Sequence, residues 1–239
     1  MTSLYQPLEG LGVHWVFQAS VVAAILLALA AMSVKRRLAT EDGGVVPDEG
    51  VTLRNVIEVM LFQLAELSQD IMGSEWRKHF PLVGTIFLFI LVSNLMGLVP
   101  WLGGSTSNAN ATFAWAIISY GYYNILGIKT HGWKYVYHLM GPVIWTPTIG
   151  GQEWHVRLLA PFFLPLEIIL HAARIVTLGI RLLANMFADH TVVLVWLGLV
   201  PLGIPALFLG LGVLVSFLQA VVFALLTMIY IGEALHEAH

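Results

Sequence analysis

From Thr191 to Gly232 the chain runs for 42 residues without an Asp, Glu, Lys, Arg or His. As one helix rising 1.5 Å per residue, such a stretch would measure ~63 Å, about twice the hydrocarbon core of a bilayer. Pro201, Gly203 and Pro205 cluster near one end of it. Proline removes a backbone donor and clashes with the preceding turn, and glycine permits the chain to reverse. The stretch therefore predicts a hairpin of two helices, over 164–200 and 206–235. Both are too long to stand upright in a membrane, so both are expected to tilt strongly.

Composition extends this reading to the whole chain. Only 10% of the residues are charged and 58% are hydrophobic, against about 25% charged in a soluble domain. A water-facing surface cannot be coated from that supply. The net charge of −3 offers no basic field, so no nucleic-acid partner is expected. There is no cysteine, which excludes disulfide frameworks, thiolate metal sites and cysteine nucleophiles together.

Three further spans are expected ahead of the hairpin. The first covers 13–34 and stops at Lys35-Arg36-Arg37. The first ten residues carry no positive n-region, so this segment is read as a retained anchor, not a cleaved signal. A polar linker follows over 40–50. Within 51–72, Val56, Val59, Met60, Gln63 and Leu67 recur at helical spacing among Glu58, Glu66 and Asp70. That pattern suits an amphipathic helix lying in the cytoplasmic interface. Spans over 80–102 and 113–128 come next, separated by an uncharged external loop over 105–112. Basic residues at 35–37, 77–78 and 129–134 all fall inside if the N-terminus is outside and the C-terminus cytoplasmic. Residues 135–165, with four prolines, are read as a cytoplasmic or interfacial loop. The expectation is an all-α polytopic membrane protein forming one integral domain over 1–239.

The first hairpin helix carries polar groups that membrane depth makes costly, at ~2.5–3.5 kcal/mol each on insertion scales. At 100° per residue, with Glu167 at 0°, His171 falls at about +40°, Arg174 at −20°, Arg181 at −40°, Asn185 at 0° and Asp189 at +40°. His190 lies off this stripe, near +140° by the same reckoning. A structural polar seam, with Arg174 held by Glu167 or His171, accounts for the ends of the stripe. It accounts poorly for Arg181, which sits mid-helix, two turns or more from an acid on the stripe, and cannot shed its proton. Its partner is expected on another chain. On the second helix, Gln219 is the strongly polar central residue, with Gly212, Ser216, Phe223 and Tyr230 on the same face. An ordinary interhelical hydrogen bond is the plainest account of it.

The run Leu178-Gly179-Ile180-Arg181-Leu182-Leu183-Ala184-Asn185-Met186-Phe187-Ala188 resembles the signature of subunit a of F-type ATP synthases. Leu218-Gln219-Ala220-Val221-Val222-Phe223 with Tyr230 resembles that family's last helix. Asn94-Leu95-Met96-Gly97-Leu98-Val99-Pro100 and Asn108-Ala109-Asn110-Ala111-Thr112 resemble two earlier helix ends. The resemblance covers roughly residues 50 to 236.

That resemblance implies a non-catalytic, ion-translocating subunit in a bacterial inner membrane or, less readily, a thylakoid. Its implied partners are a ring of c subunits with mid-membrane carboxylates, peripheral-stalk b subunits, and the soluble ATPase head. Arg181 would be the arginine between two aqueous half-channels, with Gln219 close by. Glu167 and Arg174 would line the cytoplasmic half-channel; Asn185 and His190 would line the outer one. His171, Asp189 and Ser216 join the ion path as its polar neighbours. Two positions depart from the family pattern. Asp189 stands where glycine is usual, and Gly212 where an acid or histidine is usual. A titratable group has moved across the hairpin.

Other classes fit less well. A secondary transporter, the main alternative, predicts inverted repeats and broken helices meeting at mid-membrane, and neither is legible. An intramembrane hydrolase needs a nucleophile–base pair or a metal-ligand set. Ser216 has no histidine on its own helix, and Glu233, His236, Glu237 and His239 read as a solvated end, not a metal site. No metal and no cofactor are expected.

Overall fold

The computed structural model describes residues 14–38, 50, 52–99, 102–132, 148–149, 152–153, 160–199 and 203–236. The linker expected over 40–50 lies almost entirely outside these residues. So do most of the 135–165 loop, the hairpin apex at 200–202, and Glu237 and His239. Among the described residues there are six long helices: α1 (Trp15–Leu38), α2 (Leu53–Met72), α3 (Trp76–Gly97), α4 (Ala109–His131), α5 (Ala160–Leu199) and α6 (Ile204–His236). A two-residue antiparallel ladder pairs Thr148 with Glu153 and Ile149 with Gln152. The sequence reading placed a loop there; the Gly150-Gly151 dipeptide between the rungs is a hairpin signal. The all-helical polytopic expectation otherwise holds. Four runs among the described residues are long and apolar enough to cross a membrane: Trp15–Arg36, Arg54–Gly97, Ile169–Leu199 and Ile204–Leu235.

Local chemistry explains several boundaries. Thr52 caps α2 by accepting from the Asn55 backbone N–H, which satisfies one of the orphan donors of the first turn. At its far end Gly73 adopts φ +65°, open to glycine at little cost. A single 3₁₀ turn, Gly73–Glu75, then leads into α3. The whole Arg54–Gly97 run would reach ~66 Å if straight, so the Gly73 break is what lets the two helices take separate directions. Asn108 caps α4 through the Asn110 N–H. Helix α5 starts at Ala160, inside the segment expected to be loop. Pro161 is compatible with a first turn, whose N–H groups have no intrahelical partner anyway. At the hairpin, Gly203 has φ +87°, and Trp196 stacks on Phe208 with ring centroids 5.8 Å apart.

The core lies where α3, α4, α5 and α6 meet. Val83, Ile86, Phe87 and Ile90 of α3 pack with Leu178 and Leu182 of α5 and with Ala220, Phe223, Ala224, Met228 and Ile231 of α6. From α2, the stripe Leu64, Ser68 and Met72 turns inward and is buried, with the Ser68 hydroxyl donating to Met228 Sδ at 2.9 Å. Val56, Val59 and Phe62 of the same helix remain exposed. Helix α1 sets the small residues Ala19 and Ala23 against this body, Ala23 packing with Phe89 and Met96. Helix α4 is about 34 Å long and less apolar than the four runs above. Some of its polar residues point inward: Thr112 and Ser119 are fully buried, and Ser119 and Thr227 share a hydrogen bond at 3.0 Å.

The segment 102–108 is not a surface loop. Ser105 and Thr106 are completely buried, and the Ser105 hydroxyl donates to Ser93 Oγ at 3.0 Å. The backbone can approach this closely because residues 97 and 104 are both glycine. A Cβ on Gly104 would collide with the Ser93 carbonyl and stand 3.0 Å from the Gly97 backbone.

Candidate functional site

Helix α5 and helix α6 face one another along their polar stripes. Three levels of contact follow from the fold. In the middle, Asn185 Nδ2 donates to Gln219 Oε1 at 2.7 Å. Gln219 is buried, and its own amide nitrogen has no partner among the described residues. Arg181 lies one helical turn before Asn185. It is partly exposed and makes no hydrogen bond or ion pair with any described residue. It borders an outward face on which Ala173, Thr177, Ile180, Ala184, Phe187 and Ala188 are all exposed.

Toward one end of the hairpin the Arg174 guanidinium grips Glu233 with both prongs. Nη1 to Oε2 is 2.9 Å and Nη2 to Oε1 is 3.2 Å. The same guanidinium stands over the Tyr230 ring, 4.8 Å from its centroid. Tyr230 in turn packs against Tyr123 of α4 at 5.5 Å. His171 is buried against Tyr120 and Tyr123, with ring centroids 6.2 and 6.3 Å away. Sequence reasoning had offered Glu167 or His171 as the structural partner of Arg174 and had left Glu233 in a solvated end. Among the described residues the bidentate partner of Arg174 is Glu233, so this acid is not merely part of a solvated end. At 100° per residue Glu233 falls only about 40° from Gln219 around α6, so periodicity puts it on the polar face of α6 without naming its partner. The side chains of Glu167 and His236 lie outside the described residues.

Toward the other end, buried polar atoms stand without partners among the described residues. They are Asp189 Oδ2, His190 Nε2, Ser216 Oγ and, from α3 and the following segment, both side-chain polar atoms of Asn94 and the Thr106 hydroxyl. His190 Nε2 points toward the Gly97 backbone, 3.3 Å from where a Cβ would sit. An unpaired buried polar group away from water costs several kcal/mol. These atoms belong to α3, α5, α6 and the segment after α3, and each of them is left able to take a further hydrogen bond. Asn94 and Thr106 were not foreseen as part of this group. Nothing in their spacing distinguishes them from ordinary helix-end residues.

The hairpin therefore brings Arg174, Arg181, Asn185, Asp189, His190, Ser216 and Gln219 into one polar seam, with His171 on its flank. The family model described as ATP synthase A chain matches residues 16–232 of this sequence. This chain belongs to the ATP synthase A chain family. Its relatives share that character over nearly their full length. A protein named ATP synthase subunit a 1 from Syntrophotalea carbinolica is 40% identical over 215 residues, 90% of this chain and 83% of its own. ATP synthase subunit a of Geotalea uraniireducens is 38% identical, covering 92% and 90%. That of Geobacter sulfurreducens is 37% identical over the same shares. Membership of the ATP synthase A chain family removes the transporter and hydrolase alternatives.

Proposed function

We propose that this chain is the proton-translocating stator subunit of a rotary ATP synthase in a bacterial inner membrane, and that Arg181 separates two aqueous half-paths to a ring of carboxylate-bearing subunits. The observation that carries the reading is Arg181 itself. It is a permanent cation at mid-helix with no anion among the described residues, and it stands beside an outward face of small and apolar side chains. Small residues let another helix approach closely. An arginine with no counter-charge of its own is completed by one that arrives from outside.

The chemistry follows. A ring carboxylate in lipid is held neutral, because burial disfavours its charged form. Opposite Arg181 it ionises, since a nearby cation lowers a carboxylate pKa by ~1–3 units. The released proton leaves along one half-path, and another enters along the other. One elementary charge crossing 100 mV supplies ~2.3 kcal/mol. The fixed guanidinium blocks direct passage between the half-paths, so flow is coupled to rotation. Glu167, Arg174 and His171 belong to the cytoplasmic half-path. Asn185, Asp189, His190 and Ser216 belong to the outer half-path, with Gln219 at the junction. Helix α2 lies in the cytoplasmic interface, its exposed Val56, Val59 and Phe62 in contact with lipid. The N-terminus faces outside and the C-terminus the cytoplasm. Peripheral-stalk subunits and the soluble head complete the complex.

The test is Arg181→Ala in membrane vesicles carrying the whole complex. ATP-driven proton pumping disappears while the complex still assembles. Pumping at the parental rate in that variant overturns the reading.

A further inference from the structure

The bidentate Arg174–Glu233 pair is the one ion pair that crosses the hairpin among the described residues. It is neither buried nor fully solvated, with side chains 25% and 39% exposed, so both charges are partly accessible from outside the chain. Four aromatic or imidazole side chains surround it: Tyr230 beneath the guanidinium, Tyr123 against Tyr230, and Tyr120 and His171 behind. An ion pair that serves only as glue has little advantage here, because an apolar pair of similar volume joins two helices without the cost of desolvating charges. What the carboxylate does uniquely is cancel the arginine. A paired cation presents a dipole; an unpaired one presents a full positive charge, whose field reaches further and is strengthened by low dielectric.

We propose that Glu233 is the counter-charge of the cytoplasmic half-path: by pairing with Arg174 it keeps the wall of that path neutral, and without it Arg174 becomes a positive barrier to protons passing between the ring and the cytoplasm. Glu233 is thus a positioning and field-setting residue, not a proton carrier. The inference rests on the stator reading above. Arg174 lies seven residues before Arg181, ~10 Å along the helix, so two cations stand in series on α5. Among the described residues, only the first of them has an anionic partner. Neutralising it leaves Arg181 as the single positive feature a proton meets.

The experiment measures passive proton flux through vesicles that carry the membrane sector with the soluble head stripped off. Flux is driven by a potassium diffusion potential and normalised to the amount of assembled complex. Glu233→Gln lowers the flux by about tenfold, the factor that ~1.4 kcal/mol of barrier produces. Glu233→Asp, which keeps the charge, stays within about threefold of the parent. The double variant Arg174→Gln with Glu233→Gln recovers to within about twofold, because the barrier leaves with the cation. A purely structural latch predicts the opposite, with the double variant at least as poor as either single one. Parental flux in Glu233→Gln, or no recovery in the double variant, overturns the proposal. If Glu233→Gln does not assemble, the swapped pair Arg174→Glu with Glu233→Arg decides: near-parental flux supports the proposal and tenfold slower flux sinks it. Normal Glu233→Gln flux, with ATP-driven pumping lost in Arg181→Ala, removes this inference alone. Coupled pumping in Arg181→Ala removes the stator reading beneath it.

Discussion

Asn185 and Gln219, 34 residues apart in sequence, meet through a 2.7 Å hydrogen bond that ties the middle of α5 to the middle of α6. The bond orients the glutamine so that its carbonyl is occupied and its amide N–H₂ group is left for something else. Breaking it from either side removes the same orientation. Asn185→Ala and Gln219→Ala are each expected to lower ATP-driven pumping. Their losses in log rate should not add, because coupled residues share one interaction. Pumping assays on the two single variants and the double variant check this. Simple additivity would show that the bond has no functional weight.

Arg181→Lys is expected to fail nearly as badly as Arg181→Ala. Lysine is a compact, strongly hydrated charge whose pKa falls when it is buried, whereas the guanidinium is planar and keeps its proton. The check is ATP synthesis driven by an imposed proton gradient. Recovery above about a tenth of the parental rate would mean that positive charge alone suffices.

Sidedness can be read directly, because the chain has no cysteine of its own. Single cysteines at 167 and 185 stand about five turns apart on α5, one on each side of Arg181. A membrane-impermeant thiol reagent is expected to reach position 167 from the cytoplasmic side and position 185 from the outside. The opposite pattern would invert the proposed orientation.

Asp189 and Gly212, the two departures implied by the family resemblance, make a separate prediction. Asp189 Oδ2 and His190 Nε2 lack partners among the described residues, which suits groups that hand protons to water. Asp189→Gly is expected to slow proton entry. Gly212→Glu is expected to be mildly harmful alone, since its Cβ would stand 2.6 Å from Leu98 Cδ2, and that flexible tip must rotate away. Together the two changes restore one acid at the outer entrance and should recover much of the rate. Additive losses would make Asp189 a mere neighbour of the path.

Gly104→Ala tests the buried segment that follows α3. The new methyl group meets the Ser93 carbonyl and the Gly97 backbone, neither of which can yield as a side chain can. Overpacking of this kind costs ~1–3 kcal/mol. Less assembled complex in the membrane, and faster loss of it on warming, are the expected readouts.

Much of this architecture was legible in the sequence because lipid makes only a few solutions possible. An uncharged run with Pro201, Gly203 and Pro205 can become little other than a hairpin, and α5 and α6 follow. The stripe on α5 was legible because helical periodicity puts Arg174, Arg181, Asn185 and Asp189 on one face. Pairing across elements was not legible. The grip of Glu233 on Arg174 depends on the register between two helices, which no single helix encodes. The burial of Ser105 and Thr106 depends on a close backbone approach at Gly97 and Gly104, and composition alone makes that segment look like solvent-facing loop.

The inward stripe of α2, Leu64, Ser68 and Met72, has its cover on α6: Met228 accepts the Ser68 hydroxyl, and the Ile71 carbonyl lies where a Cβ on Gly232 would be, at 2.9 Å. The two halves of this seam lie 160 residues apart along the chain. Until α6 has been made, the largely apolar stripe that α2 turns inward has no cover from it. One seam of the fold is thus closed by an element far downstream of the helix it covers.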